Sequence, residues 1–243
     1  VSLCAGCPHM MTLYELKRAA EEVGRGAYIA PADAGCIWIR VNPPYKKLHV
    51  SIAMGSSIGI ASGMVRAGLM EPIIAVIGDS ALYHTGLPAL VDAVWNDMDL
   101  LILICDNQTV AMTGRQPSPS SVKAEGSLRT VPLEDVVEGC GVRFVRVVDP
   151  YNVEESTAAI KKGIEYKGPA VVISRRPCIL AEVVKEPYRV DKDKCNGCKI
   201  CSHELGCTAI GWRTGKAFIE PMTCTGCGFC ALICPMEAIS QIK

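Results

Sequence analysis

Residues 73–86 read IIAVIGDSALYHTG, an apolar run that breaks on Gly78-Asp79-Ser80. A short unbroken apolar run bounded by a turn signal predicts a strand buried on both faces. An ionised carboxylate at the mouth of such a core is costly unless a cation or strong hydrogen-bond donors meet it. Asp79 is therefore expected at a ligand crevice. Three further runs, LLILICD (100–106), RFVRVV (143–148) and AVVIS (170–174), alternate with the helical stretches GLPALVDAVWN, LEDVVEGCG and NVEESTAAIKKGIEYKG, the last closed by Gly168. This alternation predicts an α/β fold with a doubly wound, mostly parallel sheet and right-handed crossovers. The ligand crevice of such a sheet lies beyond the carboxyl ends of its strands, where Asp79 and Asp106-Asn107 both fall.

The side-chain oxygens of Asp79 and Asn107 stand one helix-and-strand unit apart and can converge in that crevice, with a backbone carbonyl from the loop NQTVAMTG nearby. Carboxylate, amide and carbonyl oxygens form a hard set suited to Mg²⁺, phosphate oxygens and water completing an octahedron. Gly78 and Ser80 open the following helix and can offer N–H groups to the same anion. Alone, GDS before a helix reads more often as an N-cap; its pairing with DNQT favours the metal reading.

At 243 residues, 49% of them apolar, the chain can bury one large α/β domain, or a medium domain with a small one. Lys plus Arg equals Asp plus Glu at 25 each and no basic run is present, which gives no support to nucleic-acid binding. No apolar run reaches the roughly 18 residues that suggest a membrane span, and no signal peptide is evident. A soluble cytoplasmic protein is expected, without a membrane partner. The first residue is Val rather than Met, which suggests a trimmed chain or a fragment.

Fourteen cysteines stand out, and their repeated two-residue spacings favour metal or cluster ligation over disulfides. CNGCKICSHELGC supplies Cys195, Cys198, Cys201 and Cys207; CTGCGFCALICP supplies Cys224, Cys227, Cys230 and Cys234 before Pro235. The second run is the bacterial ferredoxin pattern C-x2-C-x2-C-x3-C-P, in which the fourth cysteine of each run ligates the other cluster. One 4Fe–4S cluster is assigned to Cys195, Cys198, Cys201 and Cys234, a second to Cys224, Cys227, Cys230 and Cys207. The first run stretches to five residues before Cys207, which leaves that ligand the least regular. A zinc ribbon would give the third cysteine of each run no job. The expected domains are 1–185, a diphosphate-binding α/β unit, and 186–243, a small α+β two-cluster ferredoxin-like unit with short strands around RTGKAFIE. The stretch 178–193 reads as the linker.

The pair GDS and DNQT resembles the binding motif of thiamine diphosphate (ThDP) enzymes, and CDNQTVAMTGRQPSP resembles the corresponding loop of the 2-oxoacid:ferredoxin oxidoreductases. LCAGCPH, GDSALYHTG, RVVDPYNVEE, RRPC and the terminal module extend the likeness across essentially the whole chain, to the C-terminal portion of the large subunit in the indolepyruvate:ferredoxin oxidoreductase family. By this resemblance Asp79 and Asn107 bind Mg²⁺ through side chains and Thr109 through its carbonyl, with Met112 and Thr113 of the same loop beside the cofactor. AMGSSIGIASG, residues 53–63, would bring small Gly55 and Ser56 near the diphosphate, and Met54 would prop the bent cofactor unless it is an ordinary core methionine. Cys4, Cys7, Cys36 and Cys178 match the family's set for a third cluster close to ThDP; otherwise Cys4 and Cys7 form a buried or zinc-binding CxxC. Cys105 and Cys140 remain as core thiols. His9 is expected to face the cofactor or to sit on a helix start, and His84 to contact substrate or diphosphate; both are candidate catalytic residues.

The resemblance implies oxidative decarboxylation of an aryl 2-oxoacid of the indolepyruvate type. Electrons would pass through the clusters to an external ferredoxin, and coenzyme A would take the acyl group. It also implies a hetero-oligomer. A pyrimidine-binding domain or subunit, which supplies the glutamate that activates ThDP, and a smaller gamma- or beta-type subunit would be the partners. The rival readings are a related enzyme for pyruvate, 2-oxoglutarate or another oxoacid, and a pure electron-transfer subunit.

Overall fold

The computed structural model describes residues 2–24, 26–42, 45–121 and 129–242. Four strands, β1 (Ile74–Gly78), β2 (Leu101–Asp106), β3 (Phe144–Val148) and β4 (Ala170–Arg175), form one parallel sheet in the order β1-β2-β4-β3. Ile74 pairs with Leu101, Leu101 with Ala170, and Phe144 with Ala170, so the strands start in register and their carboxyl ends finish along one edge.

Alternation along the strands divides the core in two. Val76, Leu103 and Val172 pack with Leu13, Leu16 and Ala20 of helix α1 (Pro8–Val23) and with Ile160 of α6 (Val153–Glu165). Ile77, Ile104 and Ile173 pack on the other face with Ile58 of α2 (Ser56–Arg66), Leu90 of α4 (Leu87–Trp95) and Val137 of α5 (Leu133–Gly139). The sheet is thus covered on both faces, as the strand pattern requires. Each fully buried Val, Leu or Ile contributes about 1.5–3 kcal/mol, which makes this double core the main support of the carboxyl-end crevice.

Helix α1 has no counterpart among the expected elements. It is buried on most sides and includes polar His9, Thr12 and Glu15 among its buried residues, so it lacks a clear apolar stripe. Residues 29–32 run beside β1 as an irregular edge, with Ile29 opposite Ile73 and Ala32 opposite Val76. Pro31 has no N–H to extend the ladder. This edge delivers Asp33 to the end of β1, where its N–H donates to the Val76 carbonyl.

The terminal module contains β5 (Tyr188–Val190), α7 (Ile200–His203), the hairpin β6 (Ile210–Arg213) and β7 (Lys216–Ile219), α8 (Phe229–Leu232) and β8 (Ile239–Gln241). Thr214 and Gly215, both at positive φ, form the tight hairpin turn foreseen around RTGKAFIE. One expectation is corrected: residues 178–193 are not linker throughout, because Tyr188–Val190 pairs antiparallel with β8 and closes the module. Leu3, Met10 and Met11 share a core with Leu205, Ala209 and Phe229, so the N-terminal segment and the terminal module are packed together. Among the described residues, no helix is long and apolar enough to cross a membrane.

Candidate functional site

At the end of β1 the chain turns directly into α3 (Asp79–Ala81), then a π-helical turn (Leu82–Gly86), then α4. Gly78 occupies the N-cap and no side chain caps this helix, so Asp79 is not the N-cap residue that GDS alone would suggest. Asp79 is 3% exposed, and its Oδ2 accepts hydrogen bonds from Ser118 Oγ at 3.1 Å and Ser120 Oγ at 2.7 Å. Burial pushes its carboxyl above the ordinary range, against the pull of the Ser120 hydroxyl.

The two polar residues that end β2 separate by role. Asp106 is held by Arg175, whose Nε donates to Oδ2 at 2.6 Å while its Nη2 reaches Glu134 Oε2 at 2.6 Å. Asn107 instead faces the crevice, its Nδ2 lying 3.4 Å from His9 Nε2 and its Oδ1 accepting the Thr109 N–H at 3.3 Å. Burial lowers the His9 pKa to about 4, so the imidazole is neutral and can accept the Asn107 amide proton. The following loop closes on itself through Thr109 Oγ1 to the Gln116 carbonyl at 3.0 Å and Thr113 Oγ1 to Gln116 Oε1 at 2.7 Å.

A cleft of about 220 Å³ opens at this edge. Gly78, Asp79 and Ser80 line it from β1 and α3; Asn107, Thr109, Met112 and Thr113 line it from the loop after β2; His9, Cys36, Met54 and Cys105 complete it. Met54 is 47% exposed, which excludes the core-methionine reading. Gly55 and Ser56 do not line the cleft but shape the turn that presents Met54. Gly55 has φ +79°, and a Cβ there would stand 2.2 Å from Thr85 Oγ1, so only glycine fits. His84 lies exposed on the π-helical turn and is not among the lining residues. Carboxylate, amide and carbonyl oxygens on one wall suit a hard cation with a diphosphate.

Three residues of this site were not foreseen. Asp33, 1% exposed, accepts the Gly55 N–H at 2.6 Å and the Ser57 N–H at 2.9 Å, pinning the start of α2. Ser118 and Ser120 orient Asp79 from forty residues away in a Ser/Pro-rich loop with no local signal. An Asp before Ala-Gly could have raised suspicion for Asp33, but nothing in the sequence joins it to a turn more than twenty residues later.

The terminal module contains two small enclosed cavities. One, of about 20 Å³, is lined by Cys195, Cys198, Cys201 and Cys234; the other, also about 20 Å³, by Cys207, Cys224, Cys227 and Cys230. Three cysteines of one run and the fourth of the other thus surround each cavity. Cys207 reaches its partners despite the longer spacing. Burial pushes the Cys201 and Cys227 thiols up to about 11, and the neighbouring cysteines of the same sets add to the effect. The remaining set gathers where α1 begins: burial pushes Cys7 to about 12, with Cys36, Cys4 and Cys178 close enough to raise it further. Cys36 similarly feels Cys178 and Cys4. Cys105 is a buried thiol in β2 and Cys140 caps the end of α5. Among the described residues, no three His, Cys, Asp or Glu side chains are disposed to hold a single metal ion. Four thiols arranged around a cavity suit a polynuclear cluster.

The family model of the thiamine pyrophosphate enzyme C-terminal TPP binding domain matches residues 33–174, and that of the 4Fe-4S binding domain matches residues 217–240. The indolepyruvate oxidoreductase subunit IorA of Thermococcus kodakarensis is 41% identical over 266 residues, covering 100% of this chain and 40% of that protein. The subunit of the same name from Methanothermobacter marburgensis is 42% identical over 245 residues, covering 98% of this chain and 39% of its own length. The chain therefore spans about two fifths of the curated relatives it matches. The solved 2-oxoglutarate:ferredoxin oxidoreductase of Magnetococcus marinus superposes with a TM-score of 0.64 at 20% identity, over 73% of this chain and 64% of that one, a likeness of fold.

Proposed function

The chain belongs to the thiamine pyrophosphate enzymes, through their C-terminal TPP binding domain, and from that premise we propose that it serves a cytoplasmic 2-oxoacid:ferredoxin oxidoreductase of the indolepyruvate type. Residues 1–185 hold Mg²⁺–ThDP and a proximal 4Fe–4S cluster; residues 186–243 hold two more clusters. When bound, the cofactor supplies a nucleophilic carbon for the keto group of a 2-oxoacid and, after CO₂ departs, electrons for the clusters.

The chain's own residues bind and orient. Asp79, Asn107 and Thr109 offer oxygens to the cation, and Ser118 and Ser120 fix the Asp79 carboxylate. A divalent cation bound there would offset the effect of burial, which raises the Asp79 pKa, and keep the carboxylate ionised. His9, neutral and accepting from the Asn107 amide, would hold the Asn107 carbonyl oxygen available to the cation and is a positioning residue for it. Asp33 holds the turn that would present Met54 to the cofactor. Exposed Ile52, Met54 and Met112 leave an apolar rim suited to a pyrimidine-binding partner that also supplies the activating glutamate. The family likeness extends the assembly to a smaller subunit, coenzyme A as acyl acceptor and ferredoxin as electron acceptor.

One observation carries the reading: the TPP-type cleft and two cavities, each lined by four cysteines drawn from both ferredoxin-like runs, occur in a single packed chain. Iron and sulfide analysis of anaerobically purified, assembled protein tests it, with about 12 irons per chain for three 4Fe–4S clusters and about eight if the proximal one is absent. Viologen reduction with a panel of oxoacids tests the substrate: preference for indolepyruvate and phenylpyruvate is expected, and preference for pyruvate or 2-oxoglutarate would reassign the enzyme within its class.

A further inference from the structure

Arg40 is 1% exposed, and its guanidinium makes a long hydrogen bond of 3.4 Å from Nη2 to the Gly206 carbonyl. Among the described residues its Nε and Nη1 have no hydrogen-bond partner and no carboxylate pairs with it. Its guanidinium stacks 4.2 Å from the centre of the Tyr45 ring. Lys47, equally buried beside it, is answered: its Nζ donates to the Glu204 carbonyl at 2.7 Å and pairs with Glu204 Oε2 at 3.2 Å, while Lys17 takes Oε1 at 2.9 Å. A buried guanidinium without a counter-ion is costly, and Arg40 stays charged at any ordinary pH.

The neighbours of Arg40 identify what answers it. Beside the Tyr45 ring, Arg40 shares a short helix (36–41) with Cys36 and reaches the carbonyl of Gly206, the residue before Cys207, and after Tyr45 the thiols that act on its charge are Cys7 and Cys207. These two cysteines belong to different sets, one at the start of α1 and one in the terminal module. Gly206, at φ +61°, lets the 202–206 turn close over the guanidinium; a Cβ there would lie 1.9 Å from Nη1 and 2.3 Å from the Tyr45 ring. The two residues by which the first cysteine run exceeds the ferredoxin spacing fall in this turn.

We infer that Arg40 is the shared counter-charge of the cluster held by Cys4, Cys7, Cys36 and Cys178 and of that held by Cys207, Cys224, Cys227 and Cys230, and that it raises their reduction potentials. The inference rests on the cluster assignment above. Each cluster that accepts one electron, supplied by oxidation of the 2-oxoacid, gains one negative charge, which the fixed cation stabilises without proton transfer. Nearby charge and hydrogen bonds to sulfur are the protein's means of setting such potentials.

Potentiometric titration followed by EPR, on the assembled holoprotein, tests this. Arg40→Gln should make at least one of these two clusters about tenfold harder to reduce, equivalent to about 59 mV for one electron, while Arg40→Lys stays within about threefold of the parent. Tyr45→Glu, which keeps Arg40 but places a carboxylate beside it, should shift the same clusters in the same direction and decides the matter if Arg40→Gln fails to assemble. Unchanged potentials in Tyr45→Glu, or in Arg40→Gln with iron content intact, overturn the role of Arg40. A parent protein without iron or sulfide overturns the cluster assignment instead.

Discussion

Replacing Asp33 by alanine should weaken ThDP binding without touching any residue that lines the cleft beside the cation. The Asp33 carboxylate accepts two buried N–H groups, from Gly55 at 2.6 Å and Ser57 at 2.9 Å. A hydrogen bond to a charged group contributes about 1.5–3 kcal/mol, and removing the acceptor also strands the donors. The turn would then lose about 3 kcal/mol or more of local support at the left-handed Gly55, which has to be held in place for Met54 to face the cleft. If cofactor binding must restore about half of that order, affinity falls roughly ten- to hundredfold, since 1.4 kcal/mol is a factor of ten. Calorimetric titration of ThDP at saturating Mg²⁺, on anaerobic assembled protein, measures it. Asp33→Asn keeps one good acceptor and should lie between. Parent-like affinity in Asp33→Ala, with Asp79→Ala binding abolished in the same series, would refute the reasoning.

Asp79→Ala should eliminate detectable ThDP binding while the EPR signals of the terminal clusters persist; their joint loss would show that cleft and clusters are interdependent. Gly206→Ala should displace the 202–206 turn and release about four irons per chain, the content of one cluster, and full iron content with native EPR would contradict the close fit at Arg40. Glu15 is fully buried with neither oxygen hydrogen-bonded, and burial raises its pKa to about 10. The folded chain keeps a proton that the unfolded chain gives up above about 4.5, so stability present at low pH is lost as pH climbs from there toward 10. Glu15→Gln removes that loss: its advantage in apparent melting temperature should widen from pH 6 to pH 8.5, by up to about 1.4 kcal/mol per pH unit, and a pH-independent difference would refute it.

Strands β1, β2 and β4 could be read directly because each is an apolar run buried on both faces, while β3, partly exposed at the sheet edge and interrupted by Arg146, was read from its Phe and valines; the ends of β1 and β2 marked the crevice. The grouping of the cysteines around two cavities was also readable, because the first three of each run follow from local spacing and the ferredoxin pattern exchanges the fourth between runs. Harder to see was whatever depends on distant chain meeting distant chain. Helix α1 hides its period because sheet, α6 and terminal module bury its polar positions too. Tyr188–Val190 becomes a strand only because β8 arrives to pair with it. Asp106 and Asn107 look alike as neighbours at a strand end, yet Arg175 and Glu134 claim the first and leave the second to the cleft. His84 seemed close to Asp79 by count, but the π-helical turn carries it outward.

The joint packing of Leu3, Met10 and Met11 with Leu205 and Phe229 bears on how turnover is paced. A carrier tethered by a flexible arm would have to find its donor anew in each cycle, and its rate would follow linker length and viscosity. Here the spacing from the cleft to the cysteines of the terminal module is settled once, when the polypeptide folds. Under the proposed function the solvent-facing Cys198 would mark the outer end of the cluster path, and diffusion would enter only where a separate redox protein arrives to collect the charge.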